Sequence, residues 1–195
     1  MSLLYDAAAA WQALLGFRYE IICGKSKKLY KIPLCFDASE FYHLAGFPHI
    51  RDIVFPVRFS QRKMMEKVLD GTITEEMIVP SVSYEGIVKR KLTAIVHLEE
   101  LLNRCAKVYQ FNPRKLPFHT EIRATYLLVD AVTNVVFLFT DTADGGKTFF
   151  SRSTFVMDEH DFRANQSSMT VLQIKRTDLK TGDTEVLYCR PGFCE

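Results

Sequence analysis

The chain has 195 residues, of which 48% are hydrophobic and 25% are charged, and its formal net charge is +2. This composition is ordinary for a globular protein and is rich enough for a sizeable core. The nearly neutral net charge neither indicates nor excludes binding to nucleic acid, because a protein with this net charge can still carry a local basic surface. No apolar run approaches the length of a membrane span, so we expect a protein without contact to a membrane.

The five cysteines are odd in number and form no CxxC pair with a matching histidine spacing. This excludes a zinc knuckle, argues against a disulfide framework and favours buried thiols in a reducing cytoplasm. The apolar N-terminus lacks a basic segment and carries Asp6, so it predicts a short helix and not a signal peptide. We therefore expect a cytoplasmic location.

The first zone, residues 1–52, follows this helix with two strands around a Gly-Lys-Ser-Lys turn, a hairpin pattern. A short helix should then run through Phe41 and Leu44, and Gly46 followed by Pro48 should end it. This helix carries His43 within an apolar run, so His43 is either a core residue or a reactive one.

The second zone, residues 53–106, is predicted to be helical. One helix should start at Ser60 and stop at Gly71, and a shorter one should end at Pro80. The longest periodic segment, residues 85–106, predicts an amphipathic helix. Its apolar residues recur every three or four positions: Val88, Leu92, Ile95, Leu98, Leu102 and Cys105.

The third zone, residues 107–195, is rich in β-branched and aromatic residues separated by turns of Asn, Asp and Gly. Short loops between consecutive strands imply an antiparallel sheet. The expected strands lie within residues 121–130, 134–141, 147–158, 169–178 and 183–190. With no internal repeat or linker, the sequence predicts a single α+β domain over residues 1–195, with helices packed on one antiparallel sheet.

Several catalytic motifs are missing from the sequence. It has no Gly-rich phosphate loop at Walker spacing, no HExxH, no zinc deaminase signature and no GxSxG elbow. Its carboxylates are scattered, without a pair at strand ends that would hold two magnesium ions. We therefore expect no cofactor and no metal site.

The segment "FNPRKLPFHTEIRATY" mixes cations with aromatic residues. Arg114, Lys115, His119 and Arg123 stand among Phe111, Phe118 and Tyr126. Cations and stacking rings suit a single-stranded nucleic acid, although a solvated loop whose aromatic residues belong to the core gives the same pattern.

Two further positions could contact RNA. Lys91 belongs to a Lys-Arg-Lys run that is most simply the solvated face of the long helix. Gln166 lies at a turn before a strand, where an amide could read a base edge, although a plain turn is the simpler interpretation. We keep both as candidate RNA contacts.

The string "SRSTF" is unusually polar for a strand. Alternation places Ser151, Ser153 and Phe155 on one face, and Arg152 and Thr154 on the other. Such a strand lies at an edge or faces a polar cleft. Arg152, Ser153 and Thr154 are therefore candidate contacts to a phosphate.

These strings together resemble a known family. The F-x-H-L-x-G string of Phe41, His43, Leu44 and Gly46 is the best-matching feature, and "LYKIPLCFDASEFYHLAGF", "FNPRKLPFHTEIRATYLL", "RSTFVMD" and "RANQSSMTVL" support it. The chain is similar to the phage-associated domains grouped with barnase, EndoU, colicin and RelE-like nucleases, the BECR fold. The resemblance implies helices followed by a curved antiparallel sheet, and metal-independent cleavage of RNA.

Metal-free RNA cleavage needs a base for the 2′-OH proton, an acid for the leaving oxygen and donors for the phosphoryl charge. His43 could serve as base or acid, and Arg152 suits the phosphoryl oxygens. His49, His97 and His160 are interpreted as structural or surface residues. The sequence identifies no second proton-transfer group opposite His43.

Two functions therefore stay open. The first is a small endoribonuclease, either a phage- or prophage-borne toxin, for which an inhibitor or antitoxin protein is a candidate partner, or an effector that acts in host takeover. The second is an inactive module of the same fold that binds RNA or a protein.

Overall fold

The computed structural model describes residues 2–55, 60–104, 107–130 and 135–193. Within these ranges the helices are α1 (Leu3–Leu14), α2 (Glu40–Leu44), α3 (Met64–Leu69), α4 (Glu75–Ile78), α5 (Lys89–Val96) and α6 (Leu98–Arg104). The strands are β1 (Phe17–Lys25), β2 (Lys28–Leu34), β3 (Lys107–Gln110), β4 (Tyr126–Asp130), β5 (Val136–Asp141), β6 (Phe150–Val156), β7 (Ser167–Asp178) and β8 (Thr184–Cys189).

The strands form one curled sheet with the order β2-β1-β7-β3-β4-β5-β6, and β8 pairs with β7 beside this path. Each of these strand pairs is antiparallel. The predicted antiparallel sheet and the α+β class are thus confirmed. The hairpin β1–β2 joins the same sheet, and β3 was not predicted as a strand.

The two ends of this strand order meet. The N–H of Phe149, just before β6, donates to the carbonyl of Pro33 at 2.7 Å. The N–H of Cys35 donates to the carbonyl of Phe149 at 3.0 Å. These bonds tie the outer strand β2 to the start of β6, so the sheet curls into a half-barrel.

The main hydrophobic core lies between the helices and this sheet. The predicted apolar stripe is buried there, since Val88, Leu92, Ile95, Leu98 and Leu102 are all 0% exposed. The helix itself is not continuous as predicted. It begins as a π-helical turn over Tyr84–Val88 and continues as α5 and α6, which are separated where His97 leaves helical geometry at φ −97° and ψ 4°.

A second, aromatic cluster packs apart from the main core. Phe137, Phe139 and Phe162 lie at its centre, with ring centroids 5.3–6.2 Å apart. Phe111 of the cation-rich segment is 7% exposed within it, and Tyr126 is 8% exposed in the main core. These two rings are therefore used in packing and are not available for base stacking.

The cysteines only partly match the expectation of free thiols. Cys23 is a buried free thiol and Cys35 a half-buried one. Cys189 is disulfide-bonded, so the prediction is wrong at this position. Cys105 and Cys194 lie outside the described residues. Among the described helices, none is long and apolar enough to cross a membrane.

Candidate functional site

A cleft of about 440 Å³ opens where α2, the start of α5 and β6 meet. Three arginines, one lysine and two carboxylates line it, so its charge is positive at neutral pH. The lining residues are His43, His49, Ile87, Arg90, Lys91, Glu121, Ile122, Arg123, Arg152, Ser153, Phe155, Asp158, His160 and Phe162. The cleft thus gathers residues from all three zones of the sequence.

His43 is exposed at the end of α2 and is not a core residue. As predicted, the helix ends at once, because Gly46 adopts φ +87°, which favours glycine. A Cβ atom at this position would lie 3.0 Å from Cδ of Lys91 and 3.4 Å from Cα of Val88. The glycine therefore lets the chain after α2 pass closely over α5, which brings His43 and Lys91 to one cleft.

Arg152 faces the same cleft as Ser153, although regular alternation predicts opposite faces. The register explains this difference. Phe139 pairs with Ser153 while its neighbour Thr140 pairs with Ser151, so Arg152 has no partner across β5. Such a bulge re-aims a side chain and is common beside active sites. Here it adds a guanidinium to the cleft.

Lys91 is the least expected member of the site. Its side chain is buried, with the residue only 7% exposed, and its amine donates to Oγ of Ser153 at 3.2 Å. No carboxylate of the described residues pairs with it. Burial, with the charge of Arg90, lowers its pKa from 10.5 to about 8. The solvated position predicted for Lys91 is therefore wrong.

The spacing of Lys91 could have revealed its burial. It lies three residues after Val88 and four before Ile95, which puts it on the apolar face of the helix. A lysine on that face, without a partner to neutralise it, is more typical of a functional site than of a core.

The neighbouring Arg90, unlike Lys91, has a carboxylate partner. Its guanidinium donates to the carbonyl of Val156 at 2.8 and 3.1 Å and pairs with Asp158 at 2.5 Å. It therefore fixes the end of β6 against α5. Among the described residues, Arg123 and Arg152 form no such ion pair, so their charges remain available to a ligand.

Two histidines of the cleft, His43 and His49, are held towards their neutral form. Partial burial and the charges of Lys91 and Arg152 lower the pKa of His43 below 6.5. Burial and the charge of Lys91 lower the pKa of His49 in the same way. A neutral imidazole at neutral pH accepts a proton, so the site contains proton acceptors beside a protonated lysine.

Several predicted residues lie elsewhere. Thr154 is fully buried and its hydroxyl donates to the carbonyl of Phe137 at 2.8 Å, so it does not face the cleft. The Gln166 amide accepts from the N–H of Asn112 and donates to the carbonyls of Asn112 and Ala164, which ties two loops together and leaves no group for a base. Arg114, Lys115 and His119 are exposed outside the cleft lining.

The sequence interpretation missed other lining residues. His49 and His160 were taken as structural or surface residues, yet both line the cleft. Their approach depends on long-range packing that no local spacing reveals. Across the described part of the chain, no group of three or more His, Cys, Asp or Glu side chains could hold a metal ion.

Glu40 lies one helical turn before His43, under the start of β6. Its Oε2 is buried without a hydrogen-bond partner among the described residues, as are the hydroxyl oxygens of Thr140 and Ser151. Burial, with repulsion from Asp37, raises the pKa of Glu40 from 4.5 to about 8, although the N–H of Ser151 donates to it. At neutral pH this carboxyl is therefore mostly protonated.

We expect Glu40→Gln to flatten the pH dependence of stability. A raised pKa means that the folded state holds a proton that the unfolded state releases between pH 4.5 and 8. The contribution of this carboxyl to stability is therefore largest below pH 4.5 and falls by a few kcal/mol as pH rises towards 8, at about 1.4 kcal/mol per pKa unit. Urea unfolding at pH 5 and pH 8 measures this slope. The exposed Glu66→Gln is the control, and an unchanged slope in Glu40→Gln would contradict the prediction.

Comparison with known proteins gives the site a family context. The family PBECR4, described as phage-Barnase-EndoU-ColicinE5/D-RelE like nuclease4, matches residues 3–190. No curated protein and no solved structure matches the chain significantly. The family match includes the complete cleft and the half-barrel sheet that carries it. The chain therefore belongs to the PBECR4 family of phage-type BECR nucleases.

Proposed function

We propose that the protein is a metal-independent endoribonuclease whose proton-transfer groups are His43 and Lys91. The observation that carries this proposal is the buried amine of Lys91, which faces the cleft and pairs with no carboxylate in the part of the chain that the structure describes. A buried cation that is not neutralised is unfavourable for folding. An anionic ligand such as a phosphate would provide the missing counter-charge.

In this reaction the 2′-hydroxyl of RNA attacks the adjacent phosphorus. Neutral His43 takes the hydroxyl proton as the new O–P bond forms. As the bond to the 5′-oxygen breaks, that oxygen must receive a proton. The products are a 2′,3′-cyclic phosphate and a 5′-hydroxyl, so DNA, which lacks the nucleophile, is not cleaved.

Ser153 connects Lys91 to the leaving oxygen. The hydroxyl oxygen of Ser153 accepts from the Lys91 amine, so its own proton can be donated into the cleft. Lys91 then replaces that proton. This arrangement supplies the acid that the sequence did not identify, at a pKa of about 8 that keeps the amine mostly protonated at pH 7.

Arg152 is placed to bind the phosphoryl oxygens. Its bulged position puts a guanidinium beside Ser153, and a guanidinium can donate two parallel hydrogen bonds to a phosphate. Arg123 at the rim extends the positive surface along the RNA backbone. An active ribonuclease of this kind would act on cellular RNA as a toxin, and its producer would need a protein inhibitor.

The test uses a fluorescent single-stranded RNA and the same sequence as DNA. We expect cleavage of the RNA alone, unchanged in excess EDTA, with 2′,3′-cyclic phosphate ends identified by mass spectrometry. Replacing Arg152 by alanine should slow cleavage. Loss of activity in EDTA with rescue by magnesium, or cleavage of the DNA, would contradict the mechanism. Binding of RNA without cleavage would instead identify an inactive module.

A further inference from the structure

The turn between β1 and β2 belongs to a second basic surface, which shares no lining residue with the cleft. It borders a shallow hollow of about 480 Å³, and no carboxylate is found among the described residues that line it. The lining carries four cations, Lys25, Lys27, Lys28 and Arg190. The sequence has the same bias, since residues 21–36 contain four lysines and neither Asp nor Glu. We call this region the hairpin surface.

The cations of the hairpin surface have no counter-charge. None of the four forms an ion pair within the described ranges, and Lys25 donates to the neutral amide oxygen of Gln110 at 2.5 Å. Lys25 and Lys28 are also direct register partners across the hairpin. Like charges in such a position destabilise a sheet. An anionic ligand would remove this repulsion.

The turn itself is made of residues that do not favour its conformation. Ser26 and Lys27 form a two-residue loop with φ +49° and φ +63°. Asn and Gly are the residues that adopt this left-handed geometry at low cost, and Asn-Gly is the preferred pair in such a hairpin. The folding of the hairpin therefore does not explain the lysine in the turn.

The hairpin surface and the cleft lie at the same edge of the sheet. Register partners lead along this edge from β1 to β6: Gly24 with Thr170, Gln110 with Ser167 and Tyr126, Tyr126 with Thr140, and Thr140 with Ser151, the neighbour of Arg152. Five steps between strands, each of about 4.8 Å, correspond to about 24 Å across the strands. One extended strand of RNA can therefore contact both sites.

The segment between β3 and β4 connects the two sites. It begins beside Gln110, to which Lys25 is bonded, and it reaches the cleft lining at Arg123. Its residues 111–120 contain neither Asp nor Glu, and its Arg114 and Lys115 are exposed. A path of positive charge thus leads from the hairpin to the cleft.

We propose that the hairpin surface is a second binding site, which holds the phosphate backbone of a single-stranded RNA whose reacting phosphate lies in the cleft. The inference rests on the proposed function for the identity of the ligand as RNA. Contacts to phosphates position a strand without reading its bases. The substrate class is therefore single-stranded RNA of several nucleotides, with no sequence requirement at the hairpin.

The experiment measures binding of 2′-O-methyl RNA, which lacks the attacking hydroxyl and is not cleaved. A dinucleotide reaches the cleft alone, whereas an oligomer of about 16 nucleotides is long enough to contact both sites. The hairpin variant combines Lys27→Asn, Lys28→Gln and Arg190→Gln. For the long oligomer, we expect the slope of the logarithm of the association constant against the logarithm of salt concentration to become shallower by about 2, at about 0.7 per phosphate contact. Binding of the dinucleotide should not change.

A second variant with the same change in net charge is the matched control. It combines Arg62→Gln, Lys63→Gln and Lys180→Gln, which are exposed positions outside both linings. Its salt slope should equal that of the wild type. Thermal unfolding should show no loss of stability in the hairpin variant, because Asn suits the turn and the like-charge pair is removed.

The outcomes separate this inference from the proposed function. An unchanged salt slope in the hairpin variant, or an equal change in the control variant, overturns the second site while cleavage of RNA still tests the cleft. If the hairpin variant weakens binding of the long oligomer but the wild type cleaves no RNA, the second site stands and the nuclease proposal fails. If the wild type neither binds the oligomer nor cleaves RNA, both proposals are wrong.

Discussion

Replacing His43 by alanine is expected to lower RNA cleavage about 10²–10⁴-fold, the usual contribution of one general acid or base. The melting temperature should hardly change, because the imidazole is exposed and its removal leaves no buried polar group without a partner. Initial cleavage rates and thermal unfolding of the same preparation measure both quantities. His119→Ala is the matched control, since His119 is exposed outside the cleft lining.

The pH dependence of cleavage provides a second measurement on the same group. A base must be neutral and an acid protonated, so kcat/KM should rise through the pKa of His43, below 6.5, and fall through that of Lys91, about 8. His43→Ala should remove the acidic limb of this profile. A variant that loses stability but keeps its cleavage rate would show that His43 has only a structural role.

Replacing Lys91 by methionine is expected to lower the rate of RNA cleavage about 10²–10⁴-fold and to stabilise the folded protein. On folding, the pKa of Lys91 falls from 10.5 to about 8, which corresponds to about 3 kcal/mol of unfavourable burial. This penalty is fully present below pH 8 and disappears as pH rises towards 10.5. Methionine avoids this penalty, so we expect the free energy of unfolding to rise by about 1–3 kcal/mol at pH 7. The gain is smaller than the full penalty because Ser153 loses its hydrogen-bond donor.

Opposite changes in activity and stability distinguish a functional lysine from a structural one. Urea unfolding at pH 7 and cleavage rates across pH 6–9 measure them, and the alkaline limb of the pH profile should vanish in Lys91→Met. Lys89→Met is the matched control, because Lys89 is exposed on the same helix and pairs with Glu85. Full activity in Lys91→Met would exclude it as the acid.

Much of the fold could be predicted because its signals are local. The stripe from Val88 to Leu102 identified the buried helix face, and Gly46 identified the end of α2. The short loops between β4, β5 and β6 predicted antiparallel pairing. The resemblance to the nuclease family depended on the string around His43, which the structure places in the cleft.

The parts of the site that could not be predicted depend on irregular backbone geometry or on contacts between distant segments. Alternation cannot reveal the bulge at Arg152, so Arg152 and Ser153 were assigned to opposite faces. Composition suggested a solvated Lys91, whereas helical spacing puts it on the apolar face. The approach of His49 and His160 follows from packing between segments that are distant in the sequence.

The strand order has a consequence for how the protein is made. β7 joins β1 of the N-terminal hairpin to β3, which leads through β4 and β5 to β6 with Arg152. Because residues 167–178 form this central strand, the sheet cannot be completed before a ribosome has translated them. Pairings between such distant segments form late and slowly. Every residue that lines the cleft precedes this strand in the sequence, so a nascent chain carries all the cleft residues before it can form the sheet that holds them together.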